Sequence, residues 1–198
     1  MSADVDHNYD QIMQNGGRTF FGRTIFEKSA AAVQCKKGIV RHQKLISLTE
    51  EISKRITPHT PCKSGCHHCC HMAVSLSEFE AYEIERFSRV KINLKFKEIE
   101  LAGDLDDALV QQDLQVKKWM GHTCPFLKDN LCSVYAVRPI ACRTNFNLSS
   151  RPELCDLTKG LNDVPNLDLR VVSAAQAAIY SKYRFADIRD FFPPESFV

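Results

Sequence analysis

Apolar residues recur at helical spacing in four segments of the chain, and no run shows clean strand alternation. Leu45, Leu48, Ile52 and Ile56 share one face of a stretch from about Ile25 to Ile56, which Gly38 is expected to divide into two helices. Lys36, Lys37, Arg41 and Lys44 in this stretch have no aromatic platform beside them and read as its solvated face. Ser77-Glu78-Phe79-Glu80 has the capping-box form and predicts a helix to about Ser88, with Phe79, Tyr82, Ile84 and Phe87 facing the core. Leu105, Ala108, Leu109, Val116, Trp119 and Met120 mark the best-defined helix. Its ends agree with its dipole: Asp104, Asp106 and Asp107 at the start, Lys117 and Lys118 at the finish, then Gly121 as a left-handed stop. Pro165 leads into a fourth helix carrying Leu167, Val171, Ala174, Ala178 and Phe185.

Between these segments the pattern weakens. Residues 1–22 are polar, contain Gly16-Gly17 and keep no period, so a flexible N-terminal arm is expected there. Arg89 to Lys97 is a basic, loosely alternating connector. Phe191-Phe192-Pro193-Pro194 ends regular structure and opens a tail, 191–198, whose aromatics either dock on the body or form a contact patch. The fold class predicted is mainly α: a single helical domain, 23–190, with an irregular cysteine-rich metal-binding centre.

That centre is the least random stretch of the chain. Cys62-Lys63-Ser64-Gly65-Cys66-His67-His68-Cys69-Cys70-His71 places four cysteines and three histidines in ten residues. Thiolate and imidazole bind soft and borderline metals, and Cys66 and Cys69 have the Cys-x-x-Cys spacing that reaches one ion from a tight turn. Gly65 supplies a positive φ to the turn, and Pro58 and Pro61 stiffen the approach. Downstream stand Cys124, Cys132, Cys142 and Cys155, all singles, which need partners elsewhere. The economical arrangement folds them over the first loop around shared metal. Cys35, alone in an apolar-patterned helix, reads as a small core residue.

Composition changes this picture little. The chain has 198 residues, 44% hydrophobic and 25% charged, with a formal net charge of +2, so no global field draws it to nucleic acid or lipid. The start lacks a basic-then-apolar leader, and no segment approaches the roughly 18 apolar residues of a membrane span. A cytoplasmic address is therefore expected. There, the clustered cysteines among a total of nine point to metal or redox chemistry rather than disulfides.

Cys62-x-x-x-Cys66-x-x-Cys69-Cys70, with Cys124-Pro125-Phe126-Leu127, Cys132-Ser133-Val134-Tyr135, Arg138-Pro139 and Cys142-Arg143, resembles the bacterial cysteine-cluster family of zinc- or iron-chelating domains. That family is similar in turn to flagellin lysine N-methylases. The resemblance covers Cys62 to about Arg143 and maps Cys62, Cys66, Cys69, Cys70, Cys124, Cys132 and Cys142 onto the family's cysteines. Asn145-Phe146 stand where the family pattern has Phe-Pro.

Zinc or an iron-sulfur cluster satisfies the donor set. Eight cysteines, with Cys155 completing the count, would make two closed tetrahedral zinc sites. A compact loop plus dispersed cysteines also suits iron-sulfur, which the pattern slightly favours. Adjacent Cys69 and Cys70 are expected to point apart and so to serve two metals or two irons. His67, His68, His71 and His122 are open between ligation and hydrogen bonding to sulfur. Arg138 and Arg143 are expected to offset thiolate charge. Asp106 and Asp107 read as dipole compensation rather than as acid-base catalysts. The functional expectations are a cytosolic metal-binding protein, a methylase-like enzyme acting on a protein substrate, or a structural zinc module that binds a protein partner. Small zinc peptides gain about 10 to 16 kcal/mol from ligation, comparable with about 5 to 15 kcal/mol for a whole domain. Loss of a structural metal is therefore expected to unfold much of the protein.

Overall fold

The computed structural model describes residues 3–96, 105–157 and 164–197. It is mainly α, as expected, with short two-stranded pairings. Among the described residues no helix is long and apolar enough to cross a membrane. The expected connector end at Lys97 and the helix-start residue Asp104 lie outside the described residues, as do the side chains of 105–109 and 112. The chain divides into two compact units, Met1–Cys66 with Arg143–Ile179, and His67–Cys142 with Tyr180–Val198.

The first unit begins with α1 (Ala3–Met13), in the stretch where a flexible N-terminal arm was expected. Val5, Asn8 and Ile12 form its buried stripe, and Asp4 and Asp6 occupy the positive first turn. Asn8 hides the stripe in the sequence because it is polar. Once buried, its amide donates to the Leu148 carbonyl at 2.7 Å. After Asn15 and Gly16, both at positive φ, the chain stays helical through α2 (Gly17–Thr19), a π-wound segment (Phe20–Thr24) and α3 (Ile25–Gln34). Cys35 and Lys37 are extended, which separates α3 from α4 (Gly38–Ile56) close to the glycine that predicted a break. The expected face of α4 is buried, with Leu45, Ile52 and Ile56 at 0% exposure, and His42 and Thr49 lie on the same side. Lys28 of α3 pairs with Glu51 of α4 at 2.5 Å.

In α8 (Arg170–Tyr180) the buried residues are Val172, Ala175, Gln176, Ile179 and Tyr180, while Ala174 and Ala178 are exposed. The expected face was one position out of phase. Both stripes fit a 3.6 period, and the one carrying the larger Val172 and Ile179 is packed.

The second unit is organised by α5 (Glu78–Ser88) and by β1 (Ser75–Ser77) paired antiparallel with β4 (Phe185–Asp187), Ser75 opposite Asp187. The predicted capping box is present: the Ser77 hydroxyl accepts from the Glu80 amide at 3.3 Å, and the Glu80 carboxylate accepts from the Ser77 amide at 2.9 Å. The expected apolar face of α5 is only partly right. Ile84 and Ala81 are buried, but Tyr82 is 45% and Phe87 52% exposed, and the other core-facing residue is Glu80. Phe185 lies in β4 rather than in a helix. Helix α6 (Leu105–Trp119) ends as predicted, with Gly121 at φ +85.

Asp129 and Asn130, both at positive φ, form the two-residue turn joining β2 (Leu127–Lys128) to β3 (Leu131–Cys132). Two short helices complete the set, α7 (Ile140–Thr144) and α9 (Ile188–Phe191). Phe191 and Phe192 are fully buried in a core with Leu76, Ile84, Phe126, Val134 and Ile188, so these first residues of the expected tail are structural. Phe126 meets Phe192 edge-on at 4.9 Å.

Candidate metal centre

In the first unit, Pro58 and Pro61 deliver the chain to a turn in which the Cys66 amide donates to the Lys63 carbonyl at 3.0 Å and Gly65 takes φ +91. Cys62 and Cys66 are half-buried on either side of that turn. The Cys62 Sγ accepts the Asn147 backbone amide at 3.2 Å. Cys155, also half-buried, closes a 3-10 turn over Pro152–Cys155.

The second unit holds Cys69, Cys70, Cys124, Cys132 and Cys142. Cys69 and Cys70 lie in the 3-10 turn His68–His71. Contrary to the expectation that they point apart, their sulfurs share a hydrogen bond. The hydrogen bond from Cys70 holds the Cys69 thiol down, to about 7, and pushes Cys70 up. Burial pushes Cys124 up to about 11, raises Cys132, and raises Cys142 well above its ordinary value, helped by Cys69, Cys124 and Cys132 nearby. As thiols these groups are neutral, and burial then costs little. A cation that replaces their protons turns the same burial into a reason to bind.

Backbone donors already face several of these sulfurs. The Phe126 amide serves Cys124 and the Val134 amide serves Cys132, each two residues on. The Asn147 amide does the same for Cys62. Such bonds favour the thiolate over the thiol and are the usual support of metal-bound sulfur. Arg138 adds positive charge that favours the thiolates of Cys69, Cys132 and Cys142, in line with its expected compensating role, and its guanidinium stacks on Tyr135 at 3.9 Å. Arg143 pairs with Glu50 at 3.5 Å within the first unit.

The histidines are engaged without any metal. His67 and His68 stack at 5.1 Å, His71 Nδ1 lies 3.3 Å from the Thr123 hydroxyl, and His122 packs edge-on against Trp119.

Three residues that position the site carried no metal signal in the sequence. Glu80, visible only as a cap, sends its other oxygen to the Ile140 amide at 3.0 Å and so fixes the start of α7, which bears Cys142. Asp187 accepts from the Val74 amide at 2.6 Å and pairs with Arg189 at 2.9 Å. Arg189 reaches the carbonyls of Cys70, Met72, His122 and Thr123. Asp187-x-Arg189 has no recognisable pattern, because its partners are backbone atoms more than 60 residues away in the chain.

No disulfide joins any of the nine cysteines. Among the described residues no three His, Cys, Asp or Glu side chains stand close enough to hold one ion as placed. The donor set nonetheless fits a thiophilic metal, given five thiols in one unit and main-chain amides turned to sulfur.

A family model, CxxCxxCC, described as "Putative zinc- or iron-chelating domain", matches residues 61–164. The match spans more than half of the chain and contains all eight candidate cysteines, and the chain belongs to this family. It is thus a metal-chelating protein of the zinc or iron class. Its own spacing, Cys62-x-x-x-Cys66-x-x-Cys69-Cys70, has one residue more in the first gap than the family's name, and Gly65 lies in that gap. No curated protein and no solved structure is significantly similar to the chain.

Proposed function

We propose that the protein is a cytosolic iron protein whose cysteines hold the metal as an iron-sulfur cluster, with ligands drawn from Cys62, Cys66, Cys69, Cys70, Cys124, Cys132, Cys142 and Cys155. The observation that carries this reading is the crowding of the second unit. Five cysteines share it, and a closed tetrahedral zinc site uses four. Adjacent cysteines with sulfurs in hydrogen-bond contact suit a polynuclear centre, in which neighbouring thiolates bind different irons. A cluster of this kind supplies one-electron transfer at a potential set by nearby hydrogen bonds and burial. Here the amides of Phe126 and Val134 and the charge of Arg138 support the thiolate form. The cytosolic assignment follows from the cysteine clustering, since a reducing compartment keeps such thiols available.

The test is protein purified without oxygen and assayed for iron, acid-labile sulfide and a visible charge-transfer spectrum. Iron and sulfide in comparable amounts, with colour, are expected. Colourless protein carrying stoichiometric zinc overturns the cluster and makes the protein a structural zinc module.

A further inference from the structure

Arg189 is a charged side chain at 4% exposure, a costly placement unless its donors are used. They are used in full. Nε donates to the Thr123 carbonyl at 3.3 Å, Nη1 to the Asp187 carboxylate at 2.9 and 3.2 Å, and Nη2 to Cys70 O at 3.3 Å, Met72 O at 3.1 Å and His122 O. The four carbonyls belong to two loops, 70–72 and 122–123. These loops bear Cys70 and adjoin Cys124, and two backbone bonds also join them, Gly121 N–H to His71 O and Cys124 N–H to Cys70 O, each 2.7 Å.

We infer that Arg189 is the positioning residue of the metal centre, a clamp that sets the spacing of the Cys70 and Cys124 loops before any metal arrives. The inference rests on the proposed ligation by these cysteines. Every contact Arg189 makes to the two loops is to main chain, so both thiols stay outside the clamp. Asp187 anchors the guanidinium and, through its other bond to Val74, places it against the strand that follows the first loop. Only a planar guanidinium with five fixed donors can span four carbonyls and a carboxylate. Lysine keeps the charge and the Asp187 pair but has three donors on one atom.

The experiment has two parts. In metal-free wild-type protein, hydrogen exchange should find the Gly121 and Cys124 amides protected to the level of the α5 amides. Exchange at the rate of an open loop overturns a clamp that precedes metal. In R189K, cobalt(II) titration followed through the thiolate charge-transfer band should show an affinity about 10- to 100-fold weaker than wild type, with Cys124 protection lost and α5 protection kept. R189K with wild-type cobalt affinity and an unchanged band overturns the role. A merely structural arginine would lower stability while leaving the affinity of the folded protein unaltered. If R189K does not fold, the metal-free exchange measurement decides alone. Failure of wild-type protein to bind cobalt, zinc or iron strikes the ligation itself, and hydrogen exchange in the metal-free protein still tests the clamp independently.

Discussion

Replacing Glu80 with alanine tests whether one buried carboxylate holds both a helix cap and a cysteine-bearing segment. Glu80 is 3% exposed; one oxygen accepts from the Ser77 amide at 2.9 Å and the Ser77 hydroxyl at 3.0 Å, the other from the Ile140 amide at 3.0 Å. Alanine leaves two buried backbone donors without this acceptor. Each orphaned donor costs about 1 to 3 kcal/mol, so E80A should lose about 2 to 6 kcal/mol. That is a large share of a typical stability of about 5 to 15 kcal/mol. Glutamine retains one acceptor oxygen and turns an NH2 group on the other donor, so E80Q should fall between E80A and wild type. The assay is urea denaturation of metal-free protein followed by tryptophan fluorescence. Trp119 is the only tryptophan and lies in the same unit, so the signal reports the right part of the molecule. An E80A midpoint within experimental error of wild type, at unchanged slope, would refute the assignment of these bonds as structural.

Three further outcomes are expected. F192A, which removes a fully buried ring packed on Phe126, should cost about 3 to 5 kcal/mol in the same assay; a loss below about 1 kcal/mol would restore the tail reading of 191–198. Metal affinity should rise with pH between 6 and 8, by about one decade per unit for each thiol proton displaced, because burial holds Cys124, at about 11, and Cys142 protonated in the metal-free protein. Calorimetry in buffers of different ionisation heat should register the released protons, and pH-independent loading would exclude these thiols as ligands. Alanine at Cys66 or Cys69 should abolish metal loading while C35A leaves it intact, read by metal analysis of purified protein. Normal loading of the Cys66 variant would remove Cys66 from the ligand set.

What could be read from the sequence was whatever depends on neighbours. The Ser77–Glu80 box, the Leu45 to Ile56 stripe, the Gly121 stop and the Gly65 turn each involve residues within a few positions, and each is present. The hairpin at Asp129-Asn130 was also local, but its flanking strands of two residues are too short to alternate. α1 was missed because its buried stripe includes Asn8, whose partner lies 140 residues away. The metal centre divided along the same line. Its sulfurs announced themselves by residue type and spacing, whereas Glu80, Asp187 and Arg189 act on distant main chain, which has no identity in a sequence.

The pairing of β1 with β4 also has a consequence for biosynthesis. Val74 and the Asp187 carboxylate that receives its amide are 113 residues apart, and Arg189 and the buried Phe191 and Phe192 come later still. Translation runs at about 5 to 20 residues per second, so the ribosome needs on the order of 10 s between Cys70 and these closing residues. Throughout that interval Cys69 and Cys70 emerge on a nascent chain with neither their clamp nor their core, open to oxidants and to whichever thiophilic ion is abundant. A metal that is to meet the assembled loops therefore has to come after residues 187–192 have been made and have folded back.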